Sequence, residues 1–207
     1  MSLIQGFKKG GYMARNGSDS FGVIAGQKGL SVVTGAASVL LLVSLFLSWI
    51  VVNINILGME FGFSVSGLSS IALTGSTEAL AQSLGTADVS NLTLAAALKS
   101  NPNGETAAMA FQILGYLAAV LSIGVLVSAI RSMRPGSSER NINLASLGAG
   151  VVGVLSLICG YLILSGMKDA AGPAAGFFNL GMGVYVAAIG AIVLLIVGVR
   201  GVLASRS

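Results

Sequence analysis

Hydrophobic and polar positions along the chain follow two different periods. Four long windows are apolar almost throughout, and each has at least the roughly 20 residues that a helix needs to cross a bilayer core. They cover residues 30–52, 106–130, 144–167 and 177–203, and their only charged residue is Arg200, near the end of the last window. We predict one transmembrane helix in each window.

The period changes to two directly after Trp49, at the end of the first window. Apolar residues alternate with polar or small ones in two short runs, which are Val52 to Ile56 and Phe61 to Ser66. Alternation of this kind is typical of strands with one covered face, and Gly58 between the runs suits a tight turn. The pattern predicts a β-hairpin over about residues 50–66, whose edge strands would offer unpaired backbone groups to a neighbouring chain. The alternative is an irregular apolar loop.

The remaining segments complete an all-α membrane protein, predicted as a four-transmembrane-helix bundle with an extracytoplasmic β-hairpin and short helices in the first loop. A Gly-rich basic arm (1–29) precedes the first span, and an extracytoplasmic cap (53–105) follows it, with short helices at about 76–99. The other connections are a cytoplasmic turn (131–143), an outer turn (168–176) and a cytoplasmic tail (204–207). The cap carries too many Leu, Val and Phe residues for a flexible linker.

Composition and charge agree with this topology. The chain is 55% hydrophobic and only 9% charged, with a mean hydropathy of +0.92, which excludes an ordinary soluble domain. Most cations flank the predicted spans on one side: Lys8, Lys9, Arg15, Lys28, Arg131, Arg134, Arg140, Arg200 and Arg206, against Lys99 and Lys168 on the other. Because cations resist translocation, both termini are predicted to be cytoplasmic. The asymmetry also accounts for the net charge of +4, so we expect contact with membrane lipids and no nucleic-acid binding.

Small residues recur on one face of three predicted spans. They are Gly115, Ala119 and Ser122 in the second span, Ala149, Gly153, Ser156 and Gly160 in the third, and Gly183, Ala187 and Gly190 in the fourth. Membrane helices associate by close van der Waals contact, which small residues permit, so we predict helix packing at these positions, within one chain or between chains. Gln112 is the one strongly polar side chain in the spans, and we expect it to form an interhelical hydrogen bond. The ring of Trp49 is expected to anchor the chain in the headgroup layer.

Residues with catalytic or ligand-binding chemistry are scarce. The chain has no His, and its single cysteine, Cys159, lies deep in the third span without a partner. Gly148 to Gly153 matches the dinucleotide-binding pattern G-x-G-x-x-G, but neither a strand before it nor an acidic residue at the required spacing after it is predicted. We therefore expect no catalytic, cofactor-binding or metal-ligating residue, and no enzyme activity.

The predicted topology resembles the claudin-type tetraspan arrangement. The resemblance consists of four spans, both ends inside, and a long first outer loop that begins as a hairpin after a Trp. It does not extend to the family's W…GLW…C…C pattern, because Gly67-Leu68 is followed by Ser69. The resemblance implies scaffolding and lateral contact. We expect a structural or accessory subunit of a larger membrane assembly, as a homo-oligomer or with other membrane-protein subunits. The alternative is an oligomeric channel, a holin-like pore or a small-molecule transporter.

Overall fold

Four long helices form the body of the protein. The computed structural model of the chain describes residues 17–77, 94, 98, 102–133 and 140–204. Within them lie α1 (Gly17–Phe46), α2 (Pro102–Ser132), α3 (Arg140–Ala171) and α4 (Met182–Ala204). Each contains a stretch long and apolar enough to cross a membrane. The helices pack in a ring, in which α1 and α3 are diagonal and each contacts both α2 and α4.

The helix ends differ from the edges of the apolar windows. α1 begins at Gly17, inside the predicted basic arm, and ends at Phe46, six residues before the window does. α2 and α3 each extend several residues beyond their windows at both ends. Pro102 suits the first position of α2, because a first-turn residue needs no amide proton for the helix, and Glu105 follows in the first turn, where the helix dipole favours an acid. Polar residues at these ends hid part of the helices from a search for apolar windows.

A four-stranded antiparallel sheet lies at one end of the bundle. Its strands are β1 (Ser48–Ile56), β2 (Met59–Ser66), β3 (Ile71–Gly75) and β4 (Phe178–Leu180), in the order β3-β2-β1-β4. The predicted hairpin is β1 with β2. A two-residue turn joins these strands at Leu57 and Gly58, which both have positive φ, of 54° and 80°. Such angles are those of the type I′ turn, whose twist matches the twist of the flanking strands.

The two faces of the sheet have opposite character. Directly paired residues share a face, and one such face carries Ile50, Val52, Val65 and Ile71, all buried. The other carries Asn53, Asn55 and Thr74, all exposed. Leu94 and Leu98 also belong to the core around the apolar face, and the Leu94 amide donates to the Ser69 carbonyl oxygen. The alternation read in the sequence therefore corresponds to a covered and a wet face.

The sheet corrects two expectations from the sequence. The protein is not all-α, because it combines a helical bundle with this small sheet. The edges of the hairpin are also not open: β3 pairs along β2, and β4 pairs with residues Ile50 to Val52 of β1. The last predicted window begins with β4 and its preceding 3₁₀ turn (Gly172–Phe177), so α4 begins only at Met182.

Several predicted segments fall wholly or mainly outside the described residues. They are the first sixteen residues of the arm, most of the short helices at 76–99, the middle of the turn at 131–143 and the last three residues of the tail.

Candidate functional site: the Trp49 core and a cavity between α2 and α3

A β-bulge at the start of β1 directs Trp49 into the bundle. The residues on either side of Trp49 pair with consecutive residues of β2, so Trp49 is an extra residue in the strand. A bulge interrupts the alternation of faces and redirects a side chain, which is why Trp49 and the adjacent Ile50 are both buried. The indole N–H donates a hydrogen bond to the carbonyl oxygen of Ser44, in the last turn of α1, at 2.7 Å.

Glycines surround the indole ring of Trp49 on three sides. A Cβ atom on Gly67, Gly160 or Gly183 would lie 2.7 Å from Nε1, 3.2 Å from Cε3 or 2.5 Å from Cδ1, respectively. Phe111 of α2 contacts the same ring edge-to-face, with centroids 5.4 Å apart and an interplanar angle of 64°. One side chain therefore joins α2, α3, α4 and the β2–β3 turn, and only residues without side chains fit beside it.

The small residues predicted to pack helices lie at contacts within this one chain. A Cβ atom on Gly153 of α3 would lie 2.8 Å from the Cβ of Ala191 on α4, and one on Gly190 would lie 3.0 Å from the carbonyl oxygen of Ala37 on α1. Buried with them are Gly115, Ser122, Ala149, Ser156, Gly160, Gly183 and Ala187, while Ala119 is half-buried. Gly115 packs against the carbonyl oxygen of Gly67 rather than against a helix. These faces are therefore already covered in the single chain.

Two other predicted residues are placed differently from what the sequence suggested. Trp49 is only 1% exposed, so its ring faces the protein interior and does not reach a headgroup layer. The physical reason is the bulge, which local periodicity does not reveal. Gln112 is half-buried on α2, one position after Phe111. A buried hydroxyl that does lack a hydrogen-bond partner is that of Ser122, whereas the Ser156 hydroxyl donates to the Val152 carbonyl oxygen.

An apolar cavity of about 350 Å³ lies between the N-terminal end of α2 and the C-terminal third of α3. Its wall includes Ala107, Cys159, Leu162, Ile163, Gly166 and Met167. At its base the thiol of Cys159 approaches the carbonyl oxygen of Ala107, with 3.8 Å between sulfur and oxygen. The only amide side chain at the cavity is that of Asn103. Such a lining suits a hydrocarbon ligand and offers little to a charged one.

The sequence gave no warning of this cavity. Its space arises where small residues of two different helices oppose each other, and Gly166 has no atom within 4 Å of the place a Cβ would take. Only Leu98 comes from outside the two helices. Cys159 was singled out in the sequence as a core residue, and it is half-buried at the cavity base. Among the residues that the structure describes, no cluster of His, Cys, Asp and Glu has the makings of a metal site.

No protein-family model matches this chain, and no curated protein matches it either. The geometry of the sheet, the bundle and the cavity is therefore the basis for the functional argument.

Proposed function

We propose that the protein is a multi-pass membrane protein with the sheet outside and both termini in the cytoplasm. Large apolar side chains are exposed on the outer surface of all four helices, among them Val43, Val120, Leu155 and Ile196. Such a surface is far more apolar than water-exposed helices carry, and lipid is the solvent that suits it.

The length of the bundle supports this placement. One end of the bundle carries cations, and the other carries the layer of residues around Trp49. Roughly 20 residues of each chain segment separate the two, from Lys28 to Trp49, Arg131 to Phe111, Arg140 to Gly160 and Arg200 to Gly183. At a rise of 1.5 Å per residue this matches the ~30 Å hydrocarbon core of a bilayer. The cation-bearing end faces the cytoplasm because Lys and Arg resist translocation.

We further propose that the protein is a non-enzymatic structural or accessory subunit, and that the hairpin tip is its contact with a neighbouring protein. The observation behind this is Leu57, which is 94% exposed and has a φ of 54°. Left-handed backbone costs an ordinary L-residue roughly 1–2 kcal/mol, and Asn or Gly is the usual choice at this turn position. An apolar side chain that is both strained and exposed is explained by a contact that it makes with another molecule.

The sheet is well built to present this tip. A single residue, Leu47, separates α1 from β1, and a single residue, Gly181, separates β4 from α4. The Gly181 amide also donates to the Trp49 carbonyl oxygen at 2.8 Å. Because two helices enter the sheet directly and Trp49 fixes its base, the tip is held at a defined position. Binding then orders few additional residues, which lowers its entropic cost.

Substitution of Leu57 separates this contact from folding. Leu57→Asn relieves the backbone strain, so we expect it to stabilise the isolated chain by about 1 kcal/mol while weakening its retention of partner chains. Leu57→Met keeps an apolar side chain and serves as the matched control. The measurement is the native mass and the co-purifying chains after mild detergent extraction from the host. If Leu57→Asn retains the same assembly as Leu57→Met and the unmodified chain, or if all three are monomers, the tip is not a subunit contact.

The alternative, an oligomeric channel, receives less support from the same geometry. The serines that would line its path, Ser122, Ser146 and Ser156, are each buried inside the single bundle. The hydroxyls of Ser146 and Ser156 bond to carbonyl oxygens of their own helix. A path between chains would need other side chains.

A further inference from the structure

The cavity between α2 and α3 lies at the side of the bundle and not on its axis. Exposed apolar side chains flank it: Leu162 is 63% exposed, and Ile158 and Met109 are each about half exposed. Leu162 belongs both to the cavity wall and to this outer surface. The cavity is therefore continuous with the surface that we assign to lipid.

The depth of the cavity follows from positions along α3. Cys159 and Ile163 lie roughly 19 and 23 residues beyond Arg140, which at 1.5 Å per residue is about 29–35 Å from the cytoplasmic end. The base of the cavity is thus at the outer limit of the hydrocarbon core, which is ~30 Å thick. Its upper part, near Gly166 and Asn103, falls within the headgroup region.

From this geometry we infer that the cavity holds one acyl chain of an outer-leaflet phospholipid. The inference rests on the proposed membrane placement, but not on the subunit role. An acyl chain fits the nearly all-apolar lining, gains burial by leaving the irregular boundary of the bundle, and enters laterally past Leu162 without crossing a polar barrier. The lipid's polar part remains at the level of Asn103, where the lining has its one amide side chain.

The cavity is open because Gly166 contributes no side chain to it. The space around a Cβ at Gly166 is free of atoms within 4 Å, so Gly166→Leu fills the cavity without forcing the backbone apart. Gly124 on α2 is equally free of neighbours and lies away from the cavity, so Gly124→Leu is a control of the same chemistry. Ala170→Leu, at the exposed rim, is a second filling variant should Gly166→Leu fail to fold.

The test is photo-crosslinking of the full chain, reconstituted in phosphatidylglycerol vesicles with a trace of phospholipid that carries a diazirine on its acyl chain. Crosslinked peptides are mapped by mass spectrometry, and the exposed outer surface of α4 at Ile189 and Ile196 serves as the internal reference for ordinary lipid contact. We expect crosslinks at Cys159 to Ala170 in about tenfold excess over the reference, as a site preferred by ~1.4 kcal/mol would give. Gly166→Leu should remove the excess and leave the α4 crosslinks unchanged, and Gly124→Leu should change neither.

Two outcomes would overturn the inference and are distinguishable from failure of the wider proposal. Crosslinks at α4 without an excess at the cavity, or an excess that survives both filling variants, would show that no acyl chain occupies it. Absence of crosslinks on every helix would instead remove the membrane placement itself. Loss of partner chains in Leu57→Asn has no bearing on the crosslinking result, so the subunit role is tested separately.

Discussion

Single residues carry the decisive departures from local rules in this protein. Trp49 occupies an extra position in a strand, and Leu57 takes a backbone conformation that Asn or Gly usually takes. The first departure is compensated inside the molecule, since the indole is buried, hydrogen-bonded to Ser44 and packed on Phe111. The second has no such compensation, because Leu57 is almost fully exposed. This contrast assigns Trp49 to stability and Leu57 to contact with another molecule.

The packing around Trp49 predicts how glycine substitutions differ. A methyl group at Gly183 would lie 2.5 Å from Trp49 Cδ1, so Gly183→Ala forces α4 or the ring to move, whereas Gly124→Ala meets open space. We expect Gly183→Ala to destabilise the protein by about 1–3 kcal/mol, as overpacking of a core does. Gly124→Ala should be neutral or stabilising by up to about 1 kcal/mol, because Ala is the better helix former.

Thermal unfolding in one detergent measures both glycine variants, with each kcal/mol corresponding to roughly 2–4 °C in Tm for a chain of this size. Equal Tm values for the two variants would show that Trp49 does not limit the approach of α4.

At the scale of elements, the sequence predicts what depends on local periodicity. Four apolar windows mark the helices, and the alternation around Gly58 marks the hairpin together with its turn. β4 could not be found this way, because Phe178 to Leu180 adjoins an apolar helix and its partner in β1 lies about 130 residues earlier in the chain. The bulge at Trp49 is hidden for the same reason, since it exists only relative to β2. The cavity depends on how two helices diverge, which no single segment encodes.

The sheet order predicts a gradient of protection along β1. Residues Ile50 to Val52 have a paired strand on both sides, whereas residues from Asn53 to the tip pair only with β2. Opening the first part requires breaking two ladders near the buried Trp49, so its amides should exchange with deuterium more slowly than those of the outer part. Hydrogen exchange with peptide-level mass spectrometry, on protein in lipid nanodiscs, resolves the two parts. Faster exchange at Ile50 to Val52 than at the outer part would mean that β4 does not hold β1 in solution.

At the scale of the whole molecule, the bundle and the sheet act as one body with two distinct ends. The small-residue faces that might have joined separate chains are buried between helices of one chain, as at Gly153 and Gly190. What remains for other molecules is the outward apolar surface, the cavity beside α3 and the hairpin tip. These surfaces suggest a division of roles, in which the helices contact lipid and the sheet contacts protein.

The proposed orientation predicts which end of the molecule an impermeant reagent reaches. Asn53 is exposed on the sheet, and Met133 is exposed at the cation-bearing end of α2, so Cys at these positions reports the two sides. Both variants are made on a Cys159→Ala background, since Cys159 is the only native thiol. In intact cells, or in spheroplasts if the host has an outer membrane, a charged maleimide should label Asn53→Cys and spare Met133→Cys. Both should react after permeabilisation, because cations flank the Met133 end and hold it in the cytoplasm. Labelling of Met133→Cys in sealed cells would invert the topology, move the sheet and its Leu57 tip to the cytoplasm, and place the cavity in the inner leaflet.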